Sequence, residues 1–488
     1  MRTVGFDTSL YILSPIIGFV SDETIRVERR PDGGAVLRWS LGSAKMRGLL
    51  SLILLCSVGV SVCDAQQSPA DSQNMTTEMQ SMPGMDHDMQ NMPGMDMGHT
   101  SMSWRPSRHE GSGTAWEPAS APLPMWMWSL GGWQFMMHGV IFIDYNQQGG
   151  PRGVGKAQSV NNVMFMEQHK LGPGTLLLKQ MYSAESLTSP HPGFPELFQT
   201  GESSHGQPLV DHQHPHNVFA ELSANYTVNL TEGLSWYVYG GPSAEPALGP
   251  VSHIHRTSAS ELPLTPLGHH LQDSTHISFG VITTGFIFDH LKLEGSAFNG
   301  REPNEERWSI QVNPLDSWSV RGSIAPTRNW TAQYSYGLLV HPEALEPGNE
   351  RRQIASIAYN RPLARGNWAT TVVWGRKRKE LTNTVLNSYL AESTLNFRER
   401  NYFFTRLELV DKDELFPEAA THPAYRIGAY TFGGTRDLLY RRLWRLGLGA
   451  DVTFYSKPAA LNAAYGDNPV SFQIFLRVRP GRNDTHSH

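Results

Sequence analysis

"VSFQIFLRVR", residues 470–479, sets Val470, Phe472, Ile474, Leu476 and Val478 on one face of an extended chain. Ser471, Gln473, Arg477 and Arg479 fall on the other. Successive side chains of a strand point to opposite sides, so this segment has one apolar and one polar surface. The same alternation runs through "VFAELSANYTVN", residues 218–229. There Val218, Ala220, Leu222, Ala224, Tyr226 and Val228 oppose Glu221, Ser223, Asn225, Thr227 and Asn229. In "WRLGLGADVTFY", Trp444, Leu446, Leu448, Ala450, Val452 and Phe454 oppose Arg445, Asp451 and Thr453. The pattern starts at Trp133 and holds to the end of the chain.

A soluble β-sandwich also alternates, but three features favour a membrane barrel. The segments are longer than the five or six residues typical of strands in soluble domains. Trp133, Trp236, Trp330, Trp368 and Trp444 recur near segment ends, where interfacial aromatic girdles are placed. Connections alternate in length. Tight turns at 171–174, 231–233, 289–290, 326–329, 362–367 and 398–401 are separated by longer loops at 145–158, 186–215, 242–273, 300–315, 341–350 and 413–422. Short periplasmic turns and long outer loops give a transmembrane barrel this rhythm. The pattern predicts an all-β, antiparallel transmembrane barrel of about sixteen strands, with fourteen as the alternative. An even number puts both barrel ends on the periplasmic side.

Composition agrees. Only 17% of residues are charged, glycine, tryptophan and tyrosine are plentiful, and mean hydropathy is negative. Alternate residues alone meet lipid in a barrel, so such a chain need not be apolar overall. A net charge of −5 offers no footing for nucleic acid.

In "MRGLLSLILLCSVGVSVCDAQQ", Arg47 and the preceding Lys45 lead an apolar run from Leu49 to Val62, and Cys63-Asp64-Ala65 offers a small-residue cleavage site before Gln66. Residues 46–65 therefore read as a signal peptide. Its removal takes both cysteines, Cys56 and Cys63, and leaves no disulfide framework. Residues 1–45 read as an upstream extension mis-assigned ahead of a true start at Met46; a long n-region is the alternative. Residues 66–124 are poor in aliphatic and β-branched residues and are expected to be a disordered periplasmic arm. The barrel is assigned to 125–480 and a tail to 481–488. The expected location is the outer membrane of a Gram-negative-type bacterium.

Within the arm, "MTTEMQSMPGMDHDMQNMPGMDMGHTSM" (75–102) holds nine of the chain's 18 methionines, and none occurs after Met181. Thioethers are soft, uncharged ligands that select Cu(I) over harder ions. Met82, Met85, Met89, Met92, Met95 and Met97, with His87 and His99, are the candidate ligands, for copper or silver. Met-rich tracts also serve as adaptable partner surfaces, oxidant sinks or plain linkers. Pro83, Gly84, Pro93 and Gly94 break any helix that a partner surface would use.

The repeats "MPGMDHDM" and "MPGMDMGH" ahead of a barrel resemble the copper-resistance B family of bacterial outer-membrane proteins. The likeness covers about 30 residues of the arm. It implies copper tolerance. Outer-membrane lipid is the expected partner, and the arm either acts alone or hands copper to a periplasmic copper protein.

Half of the 20 histidines lie between His191 and His276. "DHQHPH" supplies His212, His214 and His216; "GHHLQDSTH" supplies His269, His270 and His276, and His253 and His255 lie between. The six histidines of the two clusters are candidates for a metal site, or for hydrogen-bonding groups that hold an inward-folded loop and line a constriction. The lumen is expected to bear Glu221, Glu294, Arg406 and Glu408. Two other functions stay open. One is a general or solute-specific porin with an incidental arm. The other is an outer-membrane lipid hydrolase using Ser274 or Ser278 with His276 and Asp273, although no nucleophile elbow surrounds them and no enzyme is expected.

Overall fold

The computed structural model describes residues 25–29, 35–39 and 109–481. The signal peptide, the methionine repeats and the final residues 482–488 lie outside the described residues. Two short strands, Ile25–Arg29 and Ala35–Trp39, pair with each other, and the second also pairs with Ile310–Val312.

From Trp133 onward, sixteen antiparallel strands close into a barrel. The first four are β1 Trp133–Gln147, β2 Gly155–Leu171, β3 Gly174–Tyr182 and β4 Phe219–Thr231. Next come β5 Leu234–Ala244, β6 Ser278–Phe288, β7 Leu291–Phe298 and β8 Ser317–Thr327. These are followed by β9 Trp330–Leu339, β10 Glu350–Leu363, β11 Gly366–Lys379 and β12 Val385–Phe397. The circuit ends with β13 Asn401–Lys412, β14 Tyr425–Tyr440, β15 Trp444–Ser456 and β16 Val470–Pro480. Every strand pairs with its neighbours in the chain, and β16 returns to β1 from Phe472↔Gln147 to Val478↔Ile141. A short strand, Trp126–Leu130, pairs with the lower part of β1 and sits at the foot of this seam.

The expected strand number is met, and the chain enters β1 and leaves β16 at the short-turn end. Several connections differ, and the turn at 441–443 and the long loop at 457–469 have no counterpart among the expected ones. The expected loop at 145–158 is shorter because β1 and β2 reach Gln147 and Gly155. A brief connection at the long-loop end, 380–384, separates β11 from β12 where the sequence rhythm shows no loop.

The polarity is inverted relative to a soluble protein. On β16, Ile474 is 52% exposed while Arg477 is completely buried. The apolar face looks outward, where lipid covers it, and the polar face looks into the lumen. Aromatic side chains ring the short-turn end: Trp330 lies 4.4 Å from Tyr359, Tyr359 5.5 Å from Trp368, and Trp126 4.3 Å from Trp444. Amphipathic rings are favoured at that depth.

A polar inner wall needs partners, and three chain segments supply them. The loop before β4 (183–218) and the loop before β6 (245–277) fold inward. So do residues 109–124, whose composition alone assigns them to a disordered arm. Their backbone is held by buried cations. Lys179 Nζ donates to Gly113 O at 2.6 Å, Lys292 donates to Thr114 O, and Arg321 donates to Thr114 Oγ1 at 2.8 Å. Gly113 has φ +51°, and a Cβ there would meet the Glu245 side chain at 2.7 Å. Only glycine accepts both conditions.

An Ile474→Arg substitution places a charge on the lipid face near the middle of β16. It is expected to destabilise the barrel by about 2–4 kcal/mol in equilibrium unfolding from lipid vesicles. Ile474→Leu is expected to leave stability within about 1.5 kcal/mol.

Candidate functional site: a histidine group in the lumen

The loop 245–277 crosses the barrel on ion pairs to the wall. Arg256 reaches Glu392 of β12 at 2.7 Å and Asp273 of its own loop at 2.8 Å. Glu261 is paired with Arg477 and, at 3.1 Å, with Arg479 of β16. Removing one member of such a buried pair leaves an uncompensated charge, so each pair fixes the loop's path.

The expected lumen residues are all engaged. Glu221 accepts from Tyr239 at 2.8 Å, and Glu294 accepts from Arg321 at 2.9 Å and Tyr237 at 2.5 Å. Arg406 donates to Leu264 O at 2.8 Å, and Glu408 accepts from Gly268 N at 3.0 Å. They face inward as expected. Arg406 and Glu408 anchor the loop 245–277, and Glu294 also accepts from Thr114 Oγ1 of the inward-folded segment at 2.6 Å, whereas Glu221 is tied to its neighbours on the wall. A small polar cavity remains against one wall, lined by Glu196, Arg406, Glu408, Asp451, Thr453 and Gln473.

Held in this way, the two loops bring four imidazoles together. His253 lies before Arg256, His269 opens the short helix His269–Gln272, and His276 lies two residues before β6. His216 comes from the other loop. Ring centroids are 5.0 Å apart for His269 and His276, 5.2 Å for His253 and His269, 5.4 Å for His253 and His276, and 5.2 Å for His216 and His276. One ring nitrogen each from His253, His269 and His276 lies within 4.8 Å of the others.

Three of the rings are oriented from behind. The Nδ1 of His269 meets Asp273 Oδ1 at 2.6 Å, that of His216 meets Glu185 Oε2 at 2.7 Å, and that of His276 meets the Asp273 carbonyl at 2.8 Å. Carboxylate and carbonyl partners of this kind fix the tautomer of metal-ligating histidines and point the other nitrogen at the ion. The Nε2 atoms of His216 and His276 are 3.1 Å apart. With bonds of about 2.0–2.1 Å, two nitrogens on one tetrahedral ion stand roughly 3.3 Å apart. The buried Nδ1 of His253 makes no hydrogen bond, and the nearest Asp273 oxygen is 3.8 Å away.

Electrostatics favours neutral imidazole at His253 and His276. Burial pushes His253 down to about 3, and Asp273, which acts in the opposite direction, does not compensate. Burial and the neighbouring histidines hold His276 well below its ordinary value. His216 is the exception: burial would lower it, but the Glu185 carboxylate outweighs burial and raises it. Burial opposes ionisation of Asp273 as well, yet Arg256 and His269 keep it well below the ordinary carboxylate range. A neutral ring is the form that binds metal.

A second set lies beside the first. His270 stands 3.3 Å from both Glu202 and Glu302, and His269 and His270 rings are 5.2 Å apart. His214 contacts Glu202 at 2.5 Å and Arg307 at 2.7 Å. A third set of convergent carboxylates, Glu343, Glu346 and Glu350, is already compensated: Lys377 reaches Glu343 at 2.6 Å and Glu350 at 3.2 Å, and Lys379 reaches Glu346 at 2.6 Å.

Of the six histidines expected from sequence, His216, His269 and His276 join the four-ring group, and His214 and His270 join the set beside it. His212 does not: its Nδ1 contacts Val210 O at 3.1 Å. The three rings of "HQHPH" take separate partners: His212 turns to Val210, His214 to Glu202 and His216 to Glu185. His253 was not among the expected ligands, nor were the orienting acids Glu185, Glu202 and Asp273 given that role. The closely spaced "HIH" at 253–255 was the one local signal. The serines of the hydrolase reading are engaged elsewhere. Ser274 accepts from Arg352 at 2.5 Å and Ser278 donates to Thr275 O at 3.1 Å, while His276 Nε2 faces His216. The methionines and histidines of the arm, from Met82 to His99, lie outside the described residues.

No family model matches the chain, and no curated protein matches it. Among solved structures, it is similar to an anion-selective porin from Comamonas acidovorans at 11% identity and a TM-score of 0.45. That match spans 71% of this chain and 99% of the porin. OmpF of Salmonella typhi, solved in complex with daunomycin, matches at 10% identity and 0.45, over 72% of this chain and all of the other. The outer-membrane channel DcaP of Acinetobacter baumannii matches at 9% and 0.42, over 72% of this chain and 98% of its own. The closed ring of strands, its outward apolar face and its aromatic girdle define an outer-membrane β-barrel.

Asp273→Asn removes the charge that faces Arg256 and His269 and turns one of the two oxygens they share into an amide donor. Loss of one partner of a buried pair costs about 3–5 kcal/mol. Amide hydrogen exchange over residues 250–276 should accelerate correspondingly while the barrel strands stay protected.

Proposed function

We propose that this outer-membrane barrel handles a transition-metal ion, copper foremost and silver as its soft analogue, through the histidine group in its lumen. The observation that carries the reading is the convergence of His216, His253, His269 and His276, three of them with Nδ1 tied back to a carboxylate or carbonyl. Imidazole suits copper in either oxidation state as well as zinc. The arm points to the softer ion: Met82, Met85, Met89, Met92, Met95 and Met97, with His87 and His99, offer thioethers that prefer Cu(I). The resemblance of that arm to the copper-resistance B family supports the same choice. On this reading the arm lies in the periplasm, collects copper or exchanges it with a periplasmic copper protein, and the lumen passes or retains it.

A solute channel is the second reading, and the closed sixteen-stranded wall with alternating short and long connections favours it. The folded loops would then select the solute, and the histidines would serve as hydrogen-bonding groups. The filled lumen fits a selective passage better than a general one. The hydrolase reading has no comparable support, because the hydrogen bonds of Ser274 and Ser278 lead away from His276.

An anaerobic Cu(I) titration against a competing chelator, run on the mature chain, on a version lacking residues 75–102 and on a His269→Ala/His276→Ala variant, tests the proposal. The intact chain is expected to bind more copper than either altered form, with the two losses independent. Equal binding by all three, together with passage of sugars or anions but not copper through loaded liposomes, would overturn it in favour of the solute channel.

A further inference from the structure

Beyond the arm the chain has seven methionines: Met125 and Met127, then Met136, Met137, Met164, Met166 and Met181 in β1, β2 and β3. Met137 takes the outward face of β1. The buried Met125, Met136, Met164, Met166 and Met181 form one cluster, with Met127 packed against it. The later strands of the wall, from β4 to β16, contain none.

Register explains how they meet. Met136 of β1 pairs with Met166 of β2; His138 of β1 pairs with Met164 of β2, which pairs with Met181 of β3. Directly opposed residues in an antiparallel pair have Cβ atoms about 4.5–5.5 Å apart, so these side chains share one patch of inner wall. The Nε2 of His138 lies 3.2 Å from the Met164 sulfur. A nitrogen and a sulfur on one tetrahedral ion, with bonds of about 2.0 and 2.3 Å, stand roughly 3.5 Å apart. The His255 ring is 5.3 Å from that of His138. Ile254, between His253 and His255, packs against the methionines. The "HIH" turn thus has one histidine in the four-ring group and the other beside the thioethers.

We propose that Met136, Met164, Met166 and Met181, with His138 and His255, form a second metal site in the barrel, selective for a soft monovalent ion, Cu(I) or Ag(I). Thioethers carry no charge and bind no proton, so they can sit buried without a counter-charge when the ion is absent, as an aspartate could not, and they do not repel the ion, as a lysine would. Binding is ligand exchange alone, with no electron transferred. The site extends the metal-handling reading, but its ligands are disjoint from the four histidines, so the two stand or fall separately. The competing explanation is apolar packing, for which methionine is well suited.

The test is an Ag(I) titration of the full mature chain labelled with carbon-13 at the methionine methyl groups, with Met164→Leu and Met166→Leu used to assign signals. Leucine keeps the volume and the apolar character, so these variants should fold. On adding silver, the methyl signals of Met136, Met164, Met166 and Met181 should shift together, apart from the signals of the arm. The Met164→Leu/Met166→Leu variant should lose one bound silver ion relative to the intact chain, and His269→Ala/His276→Ala should keep it. Wall methyl signals that stay unmoved while the arm's shift would overturn the site and assign the cluster to packing. A double leucine variant that binds as much silver as the intact chain would overturn it equally. Loss of copper binding in the histidine variant alone would sustain the histidine group while removing this one.

Discussion

Backbone hydrogen bonding in a medium without water is the constraint on which everything else rests. An unpaired N–H or C=O facing lipid costs several kcal/mol, and only a closed ring of strands avoids leaving a row of them. The pairing of β16 with β1, from Phe472↔Gln147 to Val478↔Ile141, closes that ring. Closure fixes which face of each strand meets lipid, so the apolar residues go outward and the polar ones inward. The inner face then carries arginines, lysines and carboxylates that need partners. The inward-folded segments supply them, and the histidine group is a product of where those segments are held.

Period-two alternation made the wall legible in the sequence. Residues 470–479 read one residue out, one residue in, and the structure keeps that reading. The rhythm of tight turns and long loops was equally informative, because turn length is a local property. The contents of the lumen were not legible to the same degree. Residues 109–124 are poor in aliphatic side chains, and composition alone marks such a stretch as unable to fold. It is ordered because buried Lys179, Lys292 and Arg321, distant in sequence, bind its carbonyl and hydroxyl groups. No local pattern encodes that.

The candidate site shows the same division. His269 and His276 are close in sequence, and their density stands out. Their meeting with His216 depends on two separate loops coming together inside the barrel, which spacing cannot reveal. Strand alternation would put the three histidines of "HQHPH" on one side, yet His212, His214 and His216 turn to Val210, Glu202 and Glu185 respectively. A proline and a loop without strand partners beyond Gln213 free the chain from period two at that point. The inner-wall methionines, by contrast, obey the strand period, and only their register across β1, β2 and β3 was missing.

The short strand Trp126–Leu130 has a mechanical meaning. It joins the foot of the seam, with Trp126 Nε1 donating to Leu443 O at 2.9 Å, and it links the segment inside the lumen to β1. Tension applied to the chain ahead of His109 therefore meets the buried bonds of Gly113 and Thr114 first and the wall afterwards. Lumen contents and wall are coupled in series, so a load can unthread the former while the latter keeps its shape.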